Sequence, residues 1–207
     1  AKLPFDAIED ITPITVIGTT PLVIVVNPAK VPVNNIQELV AFLKAKPDAY
    51  NYASSGNGTI LHLAAEMFVS EAGVQVRHIP YKGVAPMVTD LIGGQVEMGV
   101  LALPAAQSHI RAGNLRALGV GGAKRTQAAP EVPTVVEQGL PNYIVEAWFA
   151  VIGPAKLPLA QSTRIVTALT TAFASPEVRD AMAKQGNDIS LQSPEAANRF
   201  LRAEMAK

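Results

Sequence analysis

Short β-branched runs alternate along the chain with stretches whose apolar positions recur every three or four residues. Residues 14–17 (Ile-Thr-Val-Ile) and 22–26 (Leu-Val-Ile-Val-Val) are bounded by Gly18, Pro21 and Pro28 and read as two strands. Ile36, Leu39, Val40 and Leu43 then follow the i, i+3, i+4, i+7 spacing of a helix with one buried face. Asn35 is placed to cap that helix, Glu38 to reciprocate, and Pro47 ends it. The alternation repeats three times. Strands at 50–53, 74–79 and 96–100 lead through loops into helices at 59–72, 85–92 and 104–112, and a further strand covers 115–120. In the helix opened by Thr59, Leu63, Met67 and Phe68 are expected inward, with Gly73 as its C-terminal cap. Repeated strand–loop–helix units predict an α/β fold with a parallel sheet and helices on both faces.

The texture changes after Val120. Residues 121–133 are polar and read as a linker or surface excursion, followed by a short helix at 134–138 and an apolar strand at 145–152. Three helical stretches, 159–174, 176–185 and 194–205, finish the chain, the last two announced by Ser175-Pro176 and Ser193-Pro194.

Composition narrows the partners. Of 207 residues, 17 are basic and 17 acidic, so the basic excess that nucleic acid or an anionic membrane calls for is missing. With 49% hydrophobic and 16% charged residues the chain suits a large core, and disorder is excluded. The longest apolar run, 22–26, falls far short of the roughly 18 residues that span a bilayer. No cysteine is present, which removes disulfides and thiolate chemistry, and His62, His78 and His109 lack metal-ligand spacing. No metal site and no cofactor are expected.

Ligands of open α/β sheets sit where strands run into helix N-termini. The loop Ser54-Ser-Gly-Asn-Gly-Thr59 combines small residues, hydroxyls and the first amides of a helix, a set that suits a carboxylate held without a full positive charge. The same residues also fit a tight turn with an ordinary Thr cap. Pro80-Tyr-Lys-Gly83 offers the hydroxyl or ring of Tyr81 and the cation of Lys82, which equally reads as a surface lysine. Leu101-Ala-Leu-Pro104 offers only apolar wall and backbone, and Asp90 and Glu97 have no special setting. Ser54 and Ser55 lack the Gly-x-Ser-x-Gly elbow, and the only base within reach in sequence is His62, so no catalytic residue is assigned.

At these loops the chain resembles a known family. Tyr50-Asn-Tyr-Ala-Ser-Ser-Gly-Asn-Gly-Thr59, His78-Ile-Pro-Tyr-Lys-Gly83, Leu91-Ile-Gly-Gly-Gln-Val96, Ala112-Gly-Asn-Leu-Arg-Ala-Leu118 and Pro130-Glu-Val-Pro-Thr-Val135 are similar to the Bug family, with Trp148, Asp6 and Ile11-Thr-Pro13 adding to the match. These are TctC-like substrate-binding receptors of tripartite tricarboxylate transporters. The resemblance implies a type II periplasmic-binding fold whose two lobes close on a small organic acid: a di- or tricarboxylate, an acidic amino acid or an aromatic acid. It implies a periplasmic location and a membrane permease as partner, with no chemistry of the receptor's own. Residues 1–32 and 119–207 would form lobe one with the hinge strands, and 33–118 lobe two. Carried over by position, the ligand-binding residues are Ser54, Ser55, Gly56, Gly58 and Thr59, with His62, Tyr81, Lys82 and Gly83.

Two departures accompany the likeness. Leu101 and Ala102 stand where many relatives have a polar pair, which implies a less polar ligand. Relatives also begin upstream of Ala1 and continue past Lys207, so lobe one is expected to be incomplete and the chain prone to self-association. The alternatives are a small serine-dependent hydrolase using Ser54 or Ser55, and a ligand-sensing signalling module.

Overall fold

The structure, a computed structural model, describes residues 4–6 and 8–205. Ala1 and Lys207, where the resemblance places the missing leader and continuation, lie outside the described residues. Two compact units are formed: one combines the chain up to Thr19 with the chain from Trp148 onward, and the other is Thr20–Ala147.

The first strand, β1 (Ile11–Val26), passes from one unit into the other. The sequence predicts two strands here, broken at Gly18 and Pro21, and the structure makes one. Gly18 does not break the strand because it is a place of close approach. A Cβ there would stand 1.9 Å from the Asp188 carbonyl oxygen. Pro21 falls where β1 changes partners: Gly18 and Thr19 pair with β7 (Asp188–Ile189), and Leu22 onward pairs elsewhere. Its missing N–H therefore falls outside the paired residues of β1 with β4, β5 and β7.

The Thr20–Ala147 unit carries the site. Its elements are α1 (Ile36–Lys44), β2 (Asn51–Ser54), α2 (Ile60–Ala72), β3 (Arg77–Pro80), α3 (Val84–Gly93), β4 (Met98–Ala102), α4 (Leu103–Arg111), β5 (Arg116–Val120) and a short 3-10 turn at Val136–Gln138. Strand order is β3-β2-β4-β1-β5. As expected, β2 runs parallel to β3 and β4, but β1 lies antiparallel to β4 and β5, so the sheet is mixed. The strand–helix repeats produce the parallel part. The strand that arrives from the other unit points the opposite way. Val23 to Val26 at the centre are fully buried, as strands covered on both faces require.

Asn35 caps α1 as predicted, its side chain accepting from Glu38 N–H at 2.8 Å. Glu38 reciprocates to Asn34 N–H at 2.7 Å and to the Asn35 side-chain amide at 2.8 Å. In α2 the buried face is Leu61, Ala64, Ala65, Phe68 and Ala72, so Phe68 points inward but Leu63 and Met67 do not, at 52% and 38% exposure. The alanines let the helix axis approach the sheet closely, and the longer side chains are left on the outer face.

The segment 121–133 is no free linker. Gly121 N–H donates to Leu22 O, Val120 N–H to Pro133 O and Val145 N–H to Gly121 O, while Ala129 and Val132 are buried. Gln138 fastens this region internally: its side-chain oxygen accepts from Ile36 N–H at 2.8 Å and its amide donates to Leu118 O at 2.8 Å.

In the other unit, β6 (Glu146–Pro154) pairs with β1, and α5 (Leu159–Ala174), α6 (Pro176–Lys184) and α7 (Pro194–Met205) complete it. Ile14, Val16, Ala197 and Leu201 are its buried apolar residues, and Trp148 packs edge-on against Phe200 at 5.4 Å. Ser193 caps α7, its Oγ accepting from Ala196 N–H at 3.2 Å, whereas Ser175 makes no side-chain cap.

Candidate functional site

Parallel pairing sets Ser54 opposite Pro80 and Tyr52 opposite His78, so the loops that leave β2 and β3 emerge side by side. They are laced together by main chain. Tyr81 N–H donates to Ser54 O at 2.9 Å and Gly83 N–H to Ser55 O at 3.1 Å. The structure thus brings the two predicted loops side by side. Gly56 and Gly83 have φ of 138° and 112°, in the region where a Cβ is strained, and a Cβ on Gly56 would also press within 3.4 Å of Tyr81 O.

Within the first loop the hydroxyls hold the loop itself. Thr59 caps α2: its Oγ1 accepts from His62 N–H at 3.4 Å, donates to Gly56 O at 2.8 Å and accepts from Ser55 Oγ at 3.1 Å. Ser54 is fully buried and its Oγ accepts from Gly56 N–H at 3.2 Å. The hydroxyls read from the sequence as ligand donors therefore shape the backbone. Beside the loop lies the positive end of a helix of 13 residues: His62 N–H is taken by the Thr59 cap, and the Ile60 and Leu61 amides have no partner within the helix.

His62 and Gly58 meet: Gly58 N–H donates to His62 Nδ1 at 3.0 Å. The residue that sequence reasoning missed is His78. Its Nε2 lies 2.6 Å from Ser54 Oγ, so the base nearest a loop serine is His78 and not His62. The sequence holds no local signal for it, because residues 52 and 78 share a face only once the strands pair in parallel in this register. Burial, and then the neighbouring His62, hold the His78 imidazole below its ordinary range, with Glu66 opposing. Tyr52, His78 and His62 stack, and the Tyr52 hydroxyl donates to Glu66. Burial and that bond push the Tyr52 phenol up.

Tyr81 does not point its hydroxyl outward. It donates to Asp90 Oδ2 at 2.8 Å, and burial together with that bond pushes the phenol up to about 12. Asp90 thus has a role that its sequence setting did not reveal. Glu97 has one too, accepting from Asn51 N–H at 2.8 Å. Lys82 is exposed, as both readings of it require. Leu101 and Leu103 are buried in the core, so the apolar wall expected from the third loop is reduced to half-buried Ala102 and Pro104. Apolar surface instead flanks the joined loops. Ile60 and Val84, the first residues of α2 and α3, are 41% and 37% exposed. Among the described residues no acidic or histidine cluster could hold a metal, and no helix is long and apolar enough to cross a membrane.

Joined strand ends beside a helix N-terminus are where ligands of open α/β sheets sit. The family model of the tripartite tricarboxylate transporter family receptor, TctC, matches residues 1–207. The chain is 34% identical over 206 residues to protein BugT of Bordetella pertussis, covering all of this chain and 63% of that protein. A solved R. palustris protein with adipate superposes with a TM-score of 0.92 at 31% identity, covering 99% of this chain and 68% of its own. Periplasmic binding protein BugD superposes with a TM-score of 0.85 at 29% identity, covering 93% and 65%. The chain belongs to the TctC receptor family, with a Bug-type periplasmic-binding fold, and it spans under two thirds of BugT's length.

Proposed function

We propose that this chain acts in a periplasmic receptor that captures a small organic acid and delivers it to the permease of a tripartite tricarboxylate-type transporter, without chemistry of its own. Residues 33–118 form the body of the ligand-gripping lobe, 20–32 and 119–147 belong to the same compact unit, and the rest of the chain supplies the other lobe. The observation that carries this reading is the lacing of Tyr81 and Gly83 amides onto Ser54 and Ser55 carbonyls. It consolidates, beside the N-terminus of α2, a loop rich in small residues whose amides suit a carboxylate. Ser54, Ser55, Gly56, Gly58, Thr59, His62, Tyr81, Lys82 and Gly83 make up the site in this proposal. Ser54 and Thr59 act by holding the loop, and Tyr81 through its backbone.

Exposed Ile60 and Val84 beside the loops favour an acid with a hydrocarbon stretch, and the adipate found with the R. palustris relative is of that kind. Thermal-shift and calorimetric titration with adipate, succinate, citrate, glutamate and benzoate tests the reading. Saturable stabilisation by at least one acid is expected, and a flat response to all of them removes it.

The Ser54–His78 contact is what favours a hydrolase instead. A fully buried Ser54 has no room for an acyl carbonyl, so hydrolysis of p-nitrophenyl acetate above that of a Ser54→Ala variant is not expected.

A further inference from the structure

Beneath the 54–59 loop, side chains from three elements form one ionisable column. Tyr52 on β2 and His78 on β3 stack with ring centroids 4.9 Å apart, and His78 and His62 on α2 stack at 4.0 Å with planes 13° apart. Glu66, one helical turn beyond His62, accepts from the Tyr52 hydroxyl and stands 3.8 Å from His62 Nε2. Tyr52 from β2 and Glu66 from α2 are the ionisable groups set against the two imidazoles. Because His62 Nδ1 accepts from Gly58 N–H, that nitrogen carries no proton, and the neutral ring keeps its proton on Nε2 toward Glu66. The same bond takes the Gly58 amide, one of the loop's exposed main-chain donors, away from any ligand.

We propose that carboxylate binding at this loop is coupled to the uptake of one proton by the His62–His78 pair. A solvent proton on His62 Nδ1 ends its acceptance from Gly58. Gly58 N–H and the new Nδ1–H then stand together as donors, and the ligand's carboxylate replaces the ring nitrogen as acceptor. No covalent bond is made or broken beyond N–H. Only one proton enters, because two imidazolium rings stacked at 4.0 Å repel strongly, so the charge belongs to the pair. Coupling is reciprocal: anion binding draws in a proton, and lowering the pH tightens anion binding. The inference rests on the carboxylate-receptor reading above and adds its regulation.

The test is calorimetry of adipate binding between about pH 6 and 8, in buffers that differ in ionisation heat. Expected is a net uptake approaching one proton, with affinity rising by up to roughly tenfold per pH unit as pH falls. His62→Gln retains an acceptor for Gly58 N–H but cannot titrate, so both the uptake and the pH slope should disappear. His78→Gln leaves His62 as the sole imidazole of the pair, so the uptake should persist, and its loss would overturn the placement of the proton on His62. Adipate binding with no proton exchange in the wild type, or with undiminished uptake in His62→Gln, overturns the inference and leaves the receptor reading standing. If adipate and every other acid of the panel fail to bind at every pH, the receptor reading is what suffers. The ligand-free chain then tests the coupling by itself through the amide resonance of Gly58. A Gly58 amide that titrates in wild type and not in His62→Gln supports the coupling, and one that ignores pH overturns it.

Discussion

His78 Nε2 lies 2.6 Å from Ser54 Oγ although 24 residues separate them in the chain. The contact exists because β2 and β3 pair in parallel with residue 52 opposite 78, which lays the histidine along the start of the 54–59 loop. A histidine in this position orients a buried hydroxyl, and through it the amide of Gly56. Loop shape is therefore set from the neighbouring strand as well as from the helix cap.

Thr59→Val tests the cap. Valine keeps the shape but neither receives the His62 and Ser55 hydrogen bonds nor donates to Gly56 O. Folding stability should fall by about 1 kcal/mol, the usual worth of an N-cap. Carboxylate affinity should weaken by roughly 1–2 kcal/mol as the loop loosens. Denaturant titration reads the first and calorimetry the second. Unchanged affinity would exclude Thr59 from the site.

Tyr81→Phe probes the second loop through pH. Tyr81's phenol is raised from 10.0 to about 12 by burial and by its bond to Asp90. A raised folded value means the stabilisation is complete below pH 10 and is lost as pH climbs toward about 12. The stability difference between wild type and Tyr81→Phe should accordingly be constant up to that lower value and shrink above it. A difference that stays level across the window would show that the Tyr81–Asp90 bond has been misjudged.

Gln138→Leu should be among the more damaging single substitutions in the Thr20–Ala147 unit. The buried side chain serves Ile36 N–H, Leu118 O and Thr134 O, and leucine strands all three. A loss of about 2–4 kcal/mol is expected from unsatisfied buried groups, read as a lower urea midpoint with an unchanged slope.

Gly18→Ala addresses the other unit. The added methyl would meet Asp188 O at 1.9 Å, against rigid backbone, so the pairing of β1 with β7 has to open. A cost of about 3 kcal/mol or more follows from overpacking that nothing can relieve. Hydrogen exchange should show Thr19 and Ser190 losing protection, and a fully protected variant would contradict the contact.

Local signals in the sequence carried much of this protein. The spacing of Ile36, Leu39 and Leu43, the Asn35 cap and the Gly73 terminus all depend on residues within one or two turns of each other, and each appears as read. The Ser54–Thr59 and Tyr81–Gly83 loops were recognisable for the same reason, being strand-to-helix junctions with their own residue chemistry. What the tertiary structure alone decided are the relations across the sheet. The register of β2 against β3 joined the two loops and put His78, rather than His62, beside Ser54. The reversed direction of β1 made the sheet mixed, and close approach of the backbone turned Gly18 from a breaker into part of a strand. Pairing direction and register depend on side chains far apart in the chain meeting on one face, a quantity that periodicity along a single strand does not contain.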